Sequence, residues 1–385
     1  MGAALNAYTS REHTVYHARV FKDHVPKAVE ILSDIIQNST LSEEHVERER
    51  STILTELREV SKVHEEVSFD YLHSIAFQGS SLGYTILGPP ENIRSITRKN
   101  LQDYIQTHYT ADRMVVAAAG AVDHDELVKL AERHFAALPS KSTVDFAAMP
   151  PVQYTGSAVT HHDDTIEDVH LTLAVEGASW SSPDYLPLMV IQNLVGAWSR
   201  DLGTGANVSS RLCEVIATEK LASSFKSFTT CYNETGLFGA YAITTPHAIE
   251  DLSCEVLSEW VRLCNRVTPV EVERAKSKLR ASVLLALDGN SAVCDDIGRS
   301  ILTLGRRQTP SELFERIDKI NVSVIGRVAE QYFHDTDPAA VAIGDVYEFP
   351  DYNQLRGWTY VSLSLSLSLS LSPSLLADYL LDYEY

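Results

Sequence analysis

Glu49 and Glu56, in the stretch ERERSTILTE from residue 47 to residue 56, stand seven positions apart beside an apolar stripe of Val46, Ile53, Leu54, Leu57 and Val60. At 3.6 residues per turn a step of seven returns to nearly the same azimuth, so on a helix both carboxylates leave from one face. Aligned in this way they leave room for something to sit between them. Glutamates at such a boundary are equally at home in solvent or paired with neighbouring Lys and Arg. Glu66 and Asp70, in HEEVSFD, are closer, at i and i+4. Like charges at that spacing repel unless a cation lies between them, and a guanidinium, with its fork of donors, can take that place. Their alternative reading is a pair of acids favouring a helix N-terminus.

The elements that would position these groups belong to a 385-residue chain that is 44% hydrophobic and 22% charged, enough to fill at least two cores. Its net charge of −20 argues against nucleic-acid backbones and anionic membranes and suits a cationic partner or substrate. Cys213, Cys231, Cys254, Cys264 and Cys294 are odd in number and lack CxxC spacing, which indicates neither a disulfide framework nor a thiolate zinc site. A reducing compartment fits. No apolar run approaches a bilayer span, and the first residues carry neither a secretory nor an Arg-rich leader.

An internal duplication organises the chain. VERERS from Val46 returns as VERAKS from Val272, an offset of 226; EHTVYHA from Glu12 resembles ETGLFGA from Glu234, an offset of 222; YTADRMVVAAAGAV from Tyr109 resembles FHDTDPAAVAIGDV from Phe333, an offset of 224. Each copy reads as an α/β unit. The first is expected to run from a strand, ALNAYTSREHTVYHARVF, through the amphipathic helix VPKAVEILSDIIQ and the helix bearing Glu49 and Glu56 to a closing strand, RMVVAAAGAV. In the second, VHLTLAVEGA and GLFGAYAITT read as strands, and IEDLSCEVLSEWVRLC and PVEVERAKSKLRASVLLAL as helices. The expected division is a first repeat over 1–140, a linker over 141–157 and a second repeat over 158–360. In the second copy Ala275 and Ser282 replace Glu49 and Glu56, so the helix itself does not require the carboxylates.

The Ser-Leu alternation from about Val361 to the end is set apart from the fold as low complexity. A TC dinucleotide repeat encodes Ser-Leu, and a codon beginning GT for the preceding Val fits a splice donor. We hypothesise that the tail is translated intron; a spliced transcript ending in this run would refute it.

Taken together, GAALNAYTSREHTVYHARVF, ERERSTILTELREV, FDYLHSIAFQGSSLGYTILGPPENIRSIT, LVGAWSRDLGTGANVSSRL, SFTTCYNETGLFGAYA and FPDYNQLRGWTY carry a resemblance over residues 1–360 to the pitrilysin-like inverzincin metallopeptidases, in their mitochondrial presequence-processing branch. The resemblance implies an α/β (α+β) fold of two tandem repeats, each a mostly antiparallel sheet packed with helices. It also implies a Zn2+ site in which the motif H-x-x-E-H supplies two His and a general base. By position Glu56 resembles the third zinc ligand, and Glu49 the acid that supports the site from behind the ligands. Asn6 and Ala7 resemble the edge that pairs with the substrate backbone. Glu66 and Asp70 resemble the carboxylates that take the arginine near a presequence cleavage site. The implied partners are the α subunit of a heterodimer and Arg-rich mitochondrial presequence peptides, in the mitochondrial matrix. The alternative is a structural core subunit of the ubiquinol-cytochrome c reductase complex.

None of the chain's 14 histidines begins or completes H-x-x-E-H. EHTVYH places two His four apart without a Glu between them, and HHDD at 161–164 reads as polar surface. LGTGAN around Gly203 and Gly205 lacks the Lys and spacing of a phosphate loop and reads as a loop between helices. The expectation is that Met1 matches a methionine internal in relatives and that the motif lies upstream. The chain as written would then bind no catalytic zinc and cleave nothing.

Overall fold

A computed structural model describes residues 2–144, 150–203 and 208–360. The Ser-Leu tail, Gly205 and residues 145–149 of the expected linker lie outside the described residues.

The chain opens with strands β1 (Ala4–Thr9) and β2 (Thr14–Arg19), an antiparallel pair in which Asn6 faces His17 and Ala7 faces Tyr16. The sequence reading had one strand here. Ser10–His13 closes a turn through a Ser10 N–H to His13 carbonyl bond of 2.8 Å, and its polar run SREH interrupts what alternation alone joined. Helices α1 (Val25–Gln37), α2 (Glu43–Val60), α3 (His64–Ala76), α4 (Pro90–Ser95), α5 (Arg98–His108) and α6 (His124–Phe135) follow. Ser42 starts α2 by accepting the His45 N–H, with Glu43 and Glu44 in the first turn, where the helix dipole favours acids.

In the second half β3 (Ala158–His162), β4 (Val169–Gly177), β5 (Ala197–Ser199), β6 (Ser224–Cys231), β7 (Gly236–Thr244) and β8 (Ala339–Gly344) form one sheet in the order β3-β8-β4-β7-β6-β5. All neighbours are antiparallel except β3 and β8. The helices are α7 (Tyr185–Val195), α8 (Arg211–Glu219), α9 (Ile249–Asn265), α10 (Pro269–Ala286), α11 (Asn290–Leu304), α12 (Pro310–Asp318), α13 (Val322–Phe333) and α14 (Tyr352–Trp358). Alternation along β4 divides the core. Leu171, Leu173 and Val175 join α7, α9 and α13, with Phe238, Trp260 and Phe333 in mutual ring contact at 4.9 to 5.6 Å. Ala174 faces the other way and, with Leu237, Val341 and Ile343, receives Leu72 and Ala76 of α3 and Phe77 just after it. A helix of the first half thus covers the sheet of the second.

The duplication is visible in three dimensions. β2, a 3-10 turn, α1 and α2 repeat as β7, a 3-10 turn, α9 and α10, and the two carboxylate-position helices are both 18 residues long. Gly120 and Gly344, 224 positions apart, both sit at positive φ, +115° and +125°, backbone that favours glycine. The copies differ at the segments these glycines end. β8 is bonded on both sides, by β3 and β4, whereas residues 114–119, expected as a strand, have no ladder partner among the described residues. Strand character requires hydrogen bonds to a neighbour, so apolar β-propensity alone did not make one here.

Candidate functional site: an edge hairpin and two acidic helices

Among the described residues α2 buries no side chain and packs chiefly against α4, where Arg50 donates to the carbonyls of Ile93 and, at 2.9 Å, Ile96. Its surface charges are mostly paired: Glu44 with Arg48 at 3.0 Å, Glu47 with Arg50 at 2.9 Å and Glu59 with Lys62 at 2.8 Å. Glu49 and Glu56 are exposed and, among the described residues, carry neither ion pair nor hydrogen bond. In α10 the counterpart of Glu49, Ala275, is buried at 3% exposure against the helices beneath it. The position of Glu49 is therefore packed in one copy and open and anionic in the other, whereas Ser282, the counterpart of Glu56, is exposed like Glu56 itself.

The hairpin is tied down at three points. Tyr8 donates its phenol proton to Asp295 at 2.5 Å, and burial followed by that bond pushes its pKa up to about 12. Glu12 accepts the Asn233 N–H at 2.8 Å; burial, the largest cause, raises its carboxyl above the usual range. Arg11 leaves the turn for α3, donating from Nη2 to Asp70 at 2.7 Å and from Nε to the Leu82 carbonyl at 3.2 Å. Asn6 and Ala7 are exposed on β1, whose far edge bears no strand among the described residues, and the Ala7 N–H is taken by the Asn6 side-chain oxygen at 2.8 Å.

On α3, Glu65 is paired with Lys226 and Asp70 with Arg11, while Glu66 is exposed and unpaired among the described residues. Sequence reading paired Glu66 with Asp70 and missed Arg11, which lies 59 positions from its partner with no local pattern to link them. His73, further along α3, bonds the Phe69 carbonyl through Nδ1 and the Tyr232 hydroxyl through Nε2, each at 2.6 Å. A carbonyl only accepts, so Nδ1 carries the proton and the Tyr232 O–H donates to Nε2. Burial, with Arg11 nearby, lowers the His73 pKa to about 4.

The residues present do not make a zinc site around Glu56. Among the described residues the one group of three potential ligands is His162, Asp164 and Asp345, at the ends of β3 and β8 and distant in sequence from α2. There His162 and Asp164 are exposed and His162 bonds Asp164 at 2.7 Å, in keeping with the reading of HHDD as polar surface. The five cysteines are free, and burial raises every thiol, to about 12 for Cys231 and Cys264, which keeps them protonated. Of LGTGAN, Gly203 follows a 3-10 turn at Arg200–Leu202, and residues 204–207 lie outside the described residues.

A hairpin with an open edge, an acidic helix beside it and two helix-borne carboxylates in a duplicated α/β chain define a class. Residues 1–90 match the family described as insulinase (peptidase family M16) and residues 95–279 the M16 peptidase inactive domain, and the chain belongs to this family. It is 49% identical over 355 residues to the mitochondrial-processing peptidase subunit beta of Bos taurus, covering 92% of this chain and 72% of that protein. To the subunit of the same name from Dictyostelium discoideum it is 47% identical over 363 residues, covering 94% and 77%. A solved chain in complex III2 from Candida albicans, bound to Inz-5, superimposes with a TM-score of 0.86 at 25% identity, over 94% of this chain and 86% of that one. The family resemblance read from the sequence, and the two-repeat α/β fold it implied, hold.

Proposed function

We propose that this chain is a β-type subunit of a mitochondrial presequence-processing metallopeptidase, and that the part of the work done by these residues is substrate capture. One observation carries the reading: Glu49 and Glu56 stand unpaired in solvent on α2, while the second copy has replaced them with Ala275 and Ser282. In α10 Ala275 is packed and Ser282 is exposed, so a copy under no chemical demand keeps neither carboxylate, whether or not the position is buried. In this reading Glu56 is one zinc ligand and Glu49 supports it. Among the described residues neither belongs to a group of three potential ligands, so no catalytic step is assigned to this chain.

Substrate capture has two parts. The open edge of β1 at Asn6 and Ala7 offers backbone groups to an extended peptide, after the Asn6 side chain releases the Ala7 N–H. Glu66 and Asp70, on one face of α3, offer carboxylates to an arginine side chain. The net charge of −20 steers Arg-rich, acid-poor peptides toward that surface. The partner is an α subunit, in the mitochondrial matrix.

The test is reconstitution of the full chain with a processing-peptidase α subunit and an Arg-rich presequence peptide. A stable heterodimer on size exclusion that binds the peptide supports the reading; failure of both overturns it. The likeness to a chain of complex III2 favours a second reading, a core subunit of the ubiquinol-cytochrome c reductase. Incorporation into that complex, with no peptide binding, would establish it instead.

A further inference from the structure

Resting on the reading that Glu66 and Asp70 receive a substrate arginine, we propose that Arg11 is a specificity-determining residue of that subsite. It holds Asp70 as an internal guanidinium, so an incoming arginine is taken first by Glu66 and competes with Arg11 for Asp70.

The geometry supports this in three respects. Arg11 already makes the contact a substrate arginine would make: its Nη2 lies 2.7 Å from Asp70 Oδ1, and its side chain is 12% exposed against 34% for Asp70. The partly exposed carboxylate is the one a ligand can reach. Arg11 is also tethered independently of Asp70, through Nε to the Leu82 carbonyl at 3.2 Å, so displacement from the carboxylate leaves it anchored in the turn. Finally, the competitor and the backbone-binding edge belong to one hairpin, which places Arg11 in the turn directly after β1.

Charge then sets the selectivity. Glu66, Asp70 and Arg11 together carry one excess negative charge, matched to a single guanidinium. A peptide without arginine leaves Glu66 in water, where a carboxylate is well solvated, and leaves Asp70 paired. Such a peptide still docks. Without Arg11 the same peptide would face two unscreened carboxylates four residues apart, which repel each other until a cation arrives. Arg11 thus makes the subsite prefer arginine without requiring it.

The experiment compares two labelled amphipathic presequence-like peptides by fluorescence anisotropy on the full chain, one with a single arginine and one with citrulline, its uncharged near-isostere, at that position. The readout is the ratio of the citrulline Kd to the arginine Kd. Wild type is expected above one and E66Q near one. R11Q is expected to raise the ratio about two- to fivefold, the scale of a released, partly exposed ion pair. R11K, whose ammonium holds Asp70 without the fork, raises it less. The hairpin keeps its Glu12 and Tyr8 ties in both variants. A ratio unchanged or lowered in R11Q overturns the proposal, including the case in which both peptides weaken equally because the hairpin has loosened. Should R11Q fail to fold, a ratio in R11K at or below wild type overturns it alone. A wild-type ratio of one refutes the underlying reading of Glu66 and Asp70 instead, which separates the two failures.

Discussion

Acid should weaken the union of the two halves through His73. Its pKa falls from the ordinary 6.5 to about 4 in the folded chain, chiefly because burial disfavours the charged ring. Between those values the unfolded chain binds more protons than the folded one, so stability rises with pH across that window and is lost as pH falls through it. The full difference is worth about 3 kcal/mol at 1.36 kcal/mol per pKa unit, and about 2 kcal/mol of it is gone by about pH 5. The geometry accounts for the direction. The protonated ring would present a second N–H to a Tyr232 hydroxyl that now donates to it at 2.6 Å, with the Arg11 guanidinium as a neighbour. His13, His108 and His170 are also lowered, each chiefly by burial, so the wild-type slope contains more than His73. Urea midpoints for wild type and His73→Gln from about pH 7.5 to about pH 4.5 isolate it by subtraction. The variant should be about 1–3 kcal/mol less stable at the neutral end, from the disturbed buried bonds, and should approach wild type near pH 5. Parallel pH curves for the two proteins would refute the argument.

Three further outcomes are expected. Leu72→Ala, fully buried between α3 and the second sheet, should cost about 2–5 kcal/mol and speed hydrogen exchange in α3 more than in α9, read by mass spectrometry. Glu259→Gln should cost about 2–3 kcal/mol in urea unfolding, less than a fully orphaned buried pair, because Arg262 keeps Glu271 at 3.0 Å when it loses the buried Glu259. Glu56→Gln should leave the zinc content of the purified chain after dialysis unchanged by elemental analysis, since Glu56 belongs to no group of three ligands among the described residues and fewer do not retain the ion.

Local signals in the sequence sufficed where an element carries its own instructions. Val25–Gln37 and Ile249–Asn265 have strong apolar stripes, and α10 opens with a Thr268–Glu271 capping box and Pro269, so its start is written in four residues. The duplication gave the order of elements and correctly separated a carboxylate-bearing helix from a packed one. What local reading could not supply was pairing. Residues 114–119 have the composition of a strand, yet strand identity belongs to the neighbour as much as to the segment. The same holds for the site. Spacing put Glu66 and Asp70 on one face of α3, but Arg11, the partner of Asp70, reaches it from a turn, and nothing near Arg11 in the sequence announces that contact.

The seating of α3 on the sheet of the other repeat changes what the duplication means. Tandem copies often remain separable modules, each free to drift once its twin carries the chemistry. Here the copy that lost its carboxylates serves as the mould for the helix that bears Glu66 and Asp70: Ala174, Leu237, Val341 and Ile343 shape the bed on which Leu72 and Phe77 lie. A defect at Val341 would tilt an acidic face displayed by a helix more than 250 positions earlier in the chain. The copies have become template and cast, and severing them between Phe135 and Ala158 would uncover on each the apolar surface that the other now covers.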